Sequence, residues 1–435
     1  MANYEEQAAI IDRLFPEAVK WRRQLHRNAQ PSWLEFYATG LIAEKLTEWG
    51  YTVSLGKDVV DADNILMPPS SEKLEEQYQW ALAAGIKEEF IAPAKNGLTG
   101  VVAVLKGNQP GPTVGFRFDI DCNEVIEAND KDHRPAREGF MSEQRGYAHM
   151  CGHDVHTSIG LLLARYFSEN RSCLNGTLKF IFQPSEEGLA GAAAMVPTGI
   201  VDDLDYLFSG HVGITLPEIG QIALNVTDFY AMSRFKVTYR GRPSHAALRP
   251  DEGKNALLGA CSAVTNLYAI ARHGDGASRI NVGTLEAGTA WNVIPDQACF
   301  RLETRGISTE INQYMIEKAN EVLKGAATMY GLEMEIELGA AAPGGVNTPE
   351  LIVMGTDLAR QLPSVKEIIP SAGLNASEDI SLMMRRVQSQ GGKAMFALFG
   401  TPVGGGHHNA AFDVDESVIG NAVKFLVAVQ ELVAR

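Results

Sequence analysis

The sequence predicts an α/β protein built on a mostly parallel sheet that is interrupted by an inserted α+β domain. Short apolar strands alternate with helical segments in the first part of the chain, as at 101–105, 114–118 and 177–182. The alternation returns near the end, with an apolar strand at 394–399 and a helix at 416–433. Between these parts the predicted order changes to strand, helix, strand, strand, helix, strand. The sheet domain is therefore predicted to be discontinuous.

The inserted domain is predicted from strands with one exposed face. Residues 234–240 alternate strictly between apolar and polar side chains, which is typical of such a strand. Helices at 255–272 and 309–330 and strands at 279–285, 297–305 and 332–338 complete the set. This order is the ferredoxin-like arrangement, in which helices cover one face of the sheet. The predicted domains are 1–224 and 338–435 for the sheet and 225–337 for the insertion.

Length, charge and cysteine usage exclude several classes of protein. With 435 residues the chain exceeds one ordinary core, and its formal net charge of −15 argues against nucleic acid or an anionic membrane as partner. The five cysteines are scattered and lack CxxC spacing, so we expect a cytoplasmic protein without disulfides. Met1-Ala2-Asn3-Tyr4 shows no basic n-region, and no apolar run reaches the roughly 18 residues of a membrane span. We therefore expect a soluble chain without a signal peptide.

The densest cluster of histidines is His149-Met150-Cys151-Gly152-His153-Asp154-Val155-His156. A turn at Gly152 can direct the sulfur of Cys151 and a nitrogen of His153 at one point. Thiolate with imidazole suits zinc, or manganese where carboxylates join them. An apolar helix is predicted directly after this stretch, at 159–167. These features favour a metal site over a polar loop with chance histidines.

Further candidate residues follow predicted strands. They are Asp119 and Asp121 after 114–118, Glu186 and Glu187 after 177–182, His211 after 204–208, and His408 in the loop after 394–399. Taken singly, a strand-end aspartate, a surface Glu pair and a lone histidine are ordinary structural features. In parallel sheets, however, ligands bind outside the carboxyl ends of the strands, so all of these side chains can converge on Cys151 and His153. In the Glu pair, one carboxylate can ligate a metal while its neighbour acts as a general base.

This series of motifs resembles the M20 metallopeptidase family, in its amidohydrolase branch of aminoacylases, hippurate hydrolases and indole-acetyl-amino-acid hydrolases. The motifs are Arg117-Phe118-Asp119-Ile120-Asp121, Met150 to His156, Gln183-Pro184-Ser185-Glu186-Glu187-Gly188, Gly210-His211-Val212, Gly241-Arg242-Pro243-Ser244-His245, Asn292-Val293-Ile294-Pro295, Ser377-Glu378-Asp379 and His408-Asn409-Ala410-Ala411-Phe412. The resemblance implies a catalytic domain of the phosphorylase/hydrolase-like, zinc-exopeptidase type. It also implies that the inserted domain serves dimerisation or acts as a lid.

The resemblance implies a role for each candidate residue. Two divalent metal ions, Mn²⁺ or Zn²⁺, would be ligated by Cys151, His153, Glu187, His211 and His408, with Glu186 as the catalytic acid/base. His245 would reach the active site of a dimer partner to stabilise the oxyanion, and Asn292 and Arg305 would bind the free carboxylate of the substrate. Asp119, Asp121 and Asp154 are expected to support the ligands, and His149 and His156 to pack around them.

The chain departs from the pattern of the branch at Cys122-Asn123-Glu124 and at His26-Arg27-Asn28-Ala29. Its segments at 61–97 and 125–147 are also longer than in the branch. We interpret the segment at 61–97 as an insertion or lid element. In its longer segments it is similar to the branch members that cleave p-aminobenzoyl-glutamate, a folate catabolite, and this hydrolysis is the predicted function. The alternatives are hydrolysis of another N-acyl amino acid, a non-catalytic subunit that stabilises a related partner, and a cysteine hydrolase with Cys151 as nucleophile. The partner is predicted to be a second copy or a related second subunit, bound through the inserted domain.

Overall fold

The computed structural model describes residues 4–434, so Met1, Ala2 and Asn3, on which the signal-peptide expectation partly depends, lie outside it. The α-helices are α1 (Tyr4–Arg27), α2 (Phe36–Glu48), α3 (Ser71–Ala83), α4 (Arg134–Glu138), α5 (His153–Glu169), α6 (Gly191–Met195), α7 (Ala256–Tyr268), α8 (Thr309–Tyr330), α9 (Pro349–Ala359), α10 (Ile380–Ser389) and α11 (Ser417–Val433). The strands are β1 (Thr52–Leu55), β2 (Val101–Lys106), β3 (Gln109–Asp119), β4 (Asn175–Gln183), β5 (Tyr206–Val212), β6 (Gln221–Ala223), β7 (Val226–Phe229), β8 (Ala231–Arg240), β9 (Ser278–Ala287), β10 (Gln297–Gly306), β11 (Glu333–Ala342), β12 (Glu367–Ile369), β13 (Ala372–Ala376), β14 (Lys393–Phe399), β15 (Val403–Gly404) and β16 (Asp413–Val414). Within residues 4–434, no helix combines the length and apolar character that crossing a bilayer requires.

The chain forms two compact units. The sheet unit comprises Met1–Thr227, Val346–Leu374 and Asp379–Arg435, and the inserted unit comprises Asp228–Gly345 and Asn375–Glu378. The boundary predicted at residue 337 falls inside β11, which continues to Ala342. The alternation of side chains on which that prediction relied stops before the strand does.

The sheet unit contains an eight-stranded sheet in the order β1-β2-β4-β3-β5-β14-β6-β12. Its four central strands, β4, β3, β5 and β14, run parallel, which confirms the predicted mostly parallel sheet. These strands are apolar along their length because both faces of the sheet are covered. Phe116 on β3 lies between Phe180 on β4 and Phe208 on β5, with ring centroids 5.6 and 5.9 Å apart.

Helix α5 packs on the sheet and carries the candidate ligand His153 as its first residue. A side chain at Gly160 would meet the rings of Phe118 and Phe182 at 2.6 Å, so glycine there lets α5 lie close to β3 and β4. The helix begins at His153, six residues before the start predicted from the apolar pattern. The apolar pattern misses the first six residues of the helix because its first turn carries polar side chains. Gly152, with φ of 97°, is the N-cap residue.

The first longer segment, 61–97, contains helix α3. This helix ends at Ala83, and Gly85, with φ of 96°, follows it in the left-handed region. Short 3₁₀ turns occupy the rest of the segment. Helix α3 packs against α2 within the sheet unit.

The inserted unit has a four-stranded antiparallel sheet in the order β11-β8-β10-β9. This is the strand order of the ferredoxin-like arrangement, and α7 and α8 pack on the sheet as predicted. The core of the unit is separate from that of the sheet unit and includes Val237, Tyr239, Phe300 and Met315.

Candidate active site

Four elements of the sheet unit bring the candidate ligands together. Strands β3, β4, β5 and β14 are parallel, so their carboxyl ends meet at one edge of the sheet. His211 lies near the end of β5, Glu187 follows β4, and His153 is the first residue of α5. His408 comes from the loop after β14, where its backbone N–H donates to the carbonyl of Met150 over 2.7 Å.

The ligand atoms of these residues face one another at short distances. Cys151 Sγ lies 3.4 Å from His211 Nε2, and Glu187 Oε1 lies 3.4 Å from His408 Nε2 and 3.8 Å from His153 Nε2. Four sets of three ligand atoms fall within 4.8 Å among the described residues, and two of them share Cys151: one is Cys151, His153 and His211, and the other is Cys151, Glu187 and His408. Cys151 belongs to both sets, so the cluster offers two adjacent positions for a cation.

The orientations of the imidazoles fit a metal centre. The Nδ1 of His153 donates to the carbonyl oxygen of Asp121 at 3.0 Å and lies 3.2 Å from its carboxylate, so Nε2 faces the cluster. That Nε2 is buried without a hydrogen-bond partner in the described chain. His211 donates from Nδ1 to the carbonyl of Val212 over 2.9 Å and directs Nε2 at Cys151. Such hydrogen bonds fix the tautomer in which the other ring nitrogen is free to ligate.

The charges of the cluster also suit a cation. Burial opposes the charged form of His153, but Asp119 and Asp121 raise its pKa to about 10. Burial likewise opposes ionisation of Glu187, but His408 and His153 lower its pKa to about 2. The buried carboxylates around His153 therefore favour a compensating positive charge. A bound metal ion would supply it, because metal binding displaces protons from ligands.

His156 and His149 are not placed to ligate. The Nδ1 of His156 donates to Asp119 over 2.6 Å, and its Nε2 accepts the backbone N–H of Val212 over 3.1 Å, so both nitrogens are used. The nearby atoms of Asp119, His153 and His156 therefore do not form a further metal position. His149 belongs to none of the sets of ligand atoms found among the described residues, and burial lowers its pKa to about 3.

Glu186 lies beside the cluster on the turn after β4. Its Oε2 is 3.9 Å from His153 Nε2, and the side chain is almost buried. Glu187, by contrast, has Oε1 within 3.8 Å of two imidazoles. Glu186 also falls within 4.8 Å of ligand atoms of His153 and Glu187, so the turn presents one carboxylate to two imidazoles and the other beside His153 alone. This is the arrangement that a metal ligand and a neighbouring general base require.

Several supporting residues escaped the sequence analysis. His26, noted in the sequence only as part of a departure from the pattern of the branch, is buried and joins Asp154 (2.9 Å) to Glu127 (2.8 Å) through its two ring nitrogens. Arg22 Nε lies 2.8 Å from the same Asp154 carboxylate. Glu35 is buried beneath the turn that carries Glu186. The available signal was a charged side chain inside an apolar run, as in Leu34-Glu35-Phe36.

His245 and Asn292 lie in the inserted unit on two loops that are hydrogen-bonded to each other. The backbone N–H of Ala246 donates to the carbonyl of Asn292 over 3.0 Å, and both candidate side chains are exposed. The Nδ1 of His245 accepts the backbone N–H groups of Ala247 and Leu248, each over 3.2 Å. The neutral ring therefore carries its proton on Nε2, which is available as a donor.

Arg305 and Asn292 lie toward opposite ends of β10. Asn292 belongs to the loop before Gln297, the first residue of β10, whereas Arg305 is eight residues further along that strand (297 to 305). At about 3.3 Å per residue, this length of β10 spans roughly 26 Å. Binding of one carboxylate by Asn292 and Arg305 stays a prediction.

The comparisons with known proteins agree with this site. The model of peptidase family M20/M25/M40 matches residues 115–431. The indole-3-acetyl-aspartic acid hydrolase of Enterobacter agglomerans is 43% identical over 96% of this chain and 95% of its own. One of the subunits of the p-aminobenzoyl-glutamate hydrolase of Escherichia coli (strain K12) is 41% identical over 96% of each chain. The crystal structure of an aminobenzoyl-glutamate utilization protein from Klebsiella pneumoniae is 37% identical, has a TM-score of 0.79 and covers 98% of each chain.

Proposed function

The chain belongs to peptidase family M20/M25/M40, and we propose that within this family it hydrolyses the amide bond between an aromatic acyl group and an acidic amino acid. The observation that carries the proposal is Glu186, a carboxylate placed beside a cluster of five ligands, because a structural metal site would need no such base. The two relatives described above are named for amides of aspartate and glutamate with an aromatic acyl group. We take p-aminobenzoyl-glutamate as the first substrate, which makes the enzyme a user of folate catabolites.

Cys151, His153, Glu187, His211 and His408 would hold two divalent metal ions, Zn²⁺ or Mn²⁺. One thiolate, three imidazoles and one carboxylate form a donor set that suits either ion. When bound, such ions polarise an amide carbonyl and make water more acidic. Asp121 supports this role because it fixes the tautomer of His153. Asp154 supports it from the adjacent position, where Arg22 and His26 hold its carboxylate.

Glu186 would act as the acid/base of the reaction. Its carboxylate takes the proton from the attacking water, and the oxygen of that water forms a bond to the amide carbon. The same carboxyl then gives the proton to the leaving nitrogen as the C–N bond breaks, which releases an acid and an amino acid. Near-burial of Glu186 limits competing bulk water around the carboxyl.

His245 and the carboxylate-binding residues would complete the site from a second protomer. The donor on His245 Nε2 is suited to the charge that develops on the carbonyl oxygen in the transition state. The separation of Asn292 from Arg305 in one chain supports an assembly in which they come from different protomers. Arg305 donates to Glu303 over 2.8 Å, and its planar guanidinium suits bidentate binding of a carboxylate. We propose a homodimer; the alternative partner is a related second subunit.

The proposed location is the cytoplasm. Cys122, Cys151, Cys261 and Cys299 are free thiols, which suits a reducing compartment. A reducing compartment also keeps Cys151 available as a ligand.

Turnover assays on the purified chain test the proposed function. The substrates are p-aminobenzoyl-glutamate, indole-3-acetyl-aspartate, N-benzoyl-glycine and N-acetyl amino acids, each with the chain as purified, after chelation, and after return of Zn²⁺ or Mn²⁺. We expect the highest kcat/KM on an aromatic acyl amide of glutamate or aspartate, loss of turnover on chelation and recovery with metal. A preference for N-acetyl amino acids would overturn the substrate class. Turnover that survives chelation but not thiol alkylation would favour the cysteine hydrolase, and a metal-loaded chain without any turnover would favour the non-catalytic role.

A further inference from the structure

The turn that carries Glu186 has an unfavourable backbone conformation next to the base. Ser185, the preceding residue, has φ of 53°, in the left-handed region that side chains other than glycine rarely adopt. Such a conformation persists only when its surroundings hold it. Ser185 therefore needs contacts that hold this conformation.

The carbonyl of Ser185 accepts the backbone N–H groups of Ala190 and Gly191, each over 3.1 Å, and its own N–H is held by Glu35. Glu35 precedes α2 and is fully buried. Its Oε1 accepts the backbone N–H of Ser185 over 2.8 Å, and the Thr99 hydroxyl lies 2.5 Å from its Oε2. Both carboxyl oxygens are therefore engaged, one of them on the strained peptide unit before the base.

Asp121 makes the equivalent contact on the other side of the base. Its Oδ2 accepts the backbone N–H of Glu187 over 3.0 Å and the hydroxyl of Ser32 over 3.1 Å. The peptide N–H groups before and after Glu186 are thus held by two buried carboxyl groups from distant parts of the chain. The carbonyl of Glu186 accepts the N–H of Leu189 over 2.6 Å, which closes the turn.

We propose that Glu35 is a positioning residue for catalysis, which sets the place of the Glu186 carboxylate by holding the Ser185 peptide. The proposal rests on the proposed role of Glu186 as acid/base. Glu35 touches neither the ligand cluster nor the substrate in this scheme. Its effect passes through the backbone of residue 185.

The environment of Glu35 indicates which variant should replace it without loss. Burial and the charge of Asp121 raise the pKa of Glu35 to about 8, so its carboxyl is mostly neutral at pH 7. A glutamine has the same shape, an oxygen that can accept the Ser185 N–H, and an amide that can donate to Thr99. Glu35→Gln should therefore preserve the turn, whereas Glu35→Met keeps the volume but offers no acceptor.

Steady-state kinetics of these two variants test the proposal. We expect Glu35→Met to lower kcat by about 10²-fold with KM within about threefold of wild type and unchanged metal content, because a small misplacement of a catalytic group has effects of this size. Glu35→Gln should keep at least about half of the wild-type kcat. If Glu35→Met does not fold, Glu35→Ala takes its place. Equal kcat in the Gln variant and the acceptor-free variant would overturn the proposal.

A double-mutant cycle with Glu186→Asp distinguishes positioning of the base from a general defect. Glu186→Asp withdraws the carboxylate by one methylene, so adding Glu35→Met should cost clearly less than it costs in the wild-type background. Independent, multiplicative losses would show that Glu35 acts elsewhere and would overturn the proposal. Full activity of Glu186→Asp and Glu186→Gln alone would instead refute the acid/base assignment, which is the failure of the proposed function.

Discussion

The ligand cluster of the sheet unit and the exposed loops of the inserted unit are built in opposite ways. In the cluster, His153 and His211 each have one ring nitrogen fixed by a hydrogen bond, and the second nitrogen points at the other ligands. On the loops, His245 is held only by the N–H groups of its own turn, and its side chain is exposed. Trp291, next to Asn292, is fully exposed. The candidate ligands are thus oriented by contacts within the sheet unit, whereas the loops that carry His245 and Asn292 are exposed and held by hydrogen bonds of their own.

The largest effect should come from the preorganised centre. Glu186→Gln keeps the shape of the side chain but cannot accept the proton of water, so we expect kcat to fall by about 10³ to 10⁴-fold. Metal content, measured by elemental analysis, should stay at the wild-type value. Glu187→Gln is the matched control, since loss of that carboxylate should lower metal content as well as kcat. A Glu186→Gln enzyme with near-normal turnover would refute the assignment of the base.

The next effect should come from the exposed loops. His245→Ala removes a donor aimed at charge that appears only in the transition state, so kcat should fall by about 10² to 10³-fold with little change in KM. Metal content and thermal stability should not change, because the side chain is exposed and belongs to the inserted unit. His273→Ala, which replaces another histidine of the inserted unit, serves as the control. If His245→Ala raised KM alone, binding of the substrate would be its role.

A smaller effect should come from replacing the candidate ligand Cys151, with an exposed cysteine as the control. Cys151→Ser replaces the thiolate shared by both ligand sets, and we expect metal affinity and activity to fall by at least 10 to 100-fold, the cost seen for groups that merely support ligands. Cys261→Ser changes an exposed thiol on α7 and should leave both quantities unchanged. Titration with a metal indicator measures the affinity of each variant. Equal affinity of the Cys151→Ser and Cys261→Ser variants would remove Cys151 from the ligand set.

The smallest effect should come from the ion pairs of Asp413 and Glu416, which contribute to the stability of the fold. Burial opposes ionisation of Asp413 and Glu416, but Arg134, Arg22 and Arg23 hold their pKa values below the ordinary range. Carboxylates with lowered pKa values stabilise the fold above about pH 4 and lose this contribution as the pH falls through the folded-state pKa. Arg134→Met should therefore cost about 1–3 kcal/mol of unfolding free energy at pH 7 and less at pH 3.

Urea unfolding at the two pH values measures this difference. Arg386→Met, which breaks the exposed pair with Asp202, is the control and should leave stability nearly unchanged at either pH. A cost of Arg134→Met that is equal at pH 3 and pH 7 would show that packing, and not charge, is what Arg134 contributes.

The same contrast explains what could be predicted from the sequence. Apolar strands such as 177–182 and 394–399 were predicted because burial on both faces leaves a continuous apolar run. The five candidate ligands could be proposed because they follow such strands or belong to the cluster around Cys151. The place of the site could be predicted from the sequence because the carboxyl ends of parallel strands meet at one edge of the sheet.

The remaining features depend on pairings that no local pattern records. Glu35 bonds to Ser185, 150 residues away, and His26 bonds to Asp154, 128 residues away. The start of α5 at His153 was missed because its first turn carries polar functional side chains instead of an apolar face. The separation of Asn292 from Arg305 appears only when the length of β10 is known.

The most direct test of the account is the activity of a mixed dimer. One chain carries Glu186→Gln and the other His245→Ala, and the heterodimer is isolated through two different affinity tags. If each site combines the sheet unit of one copy with the loops of the other, one of the two sites is fully wild type, and about half of the wild-type kcat returns. If the mixed dimer is no more active than the two parent variants, the loops of a second copy do not complete the site, and the central claim fails.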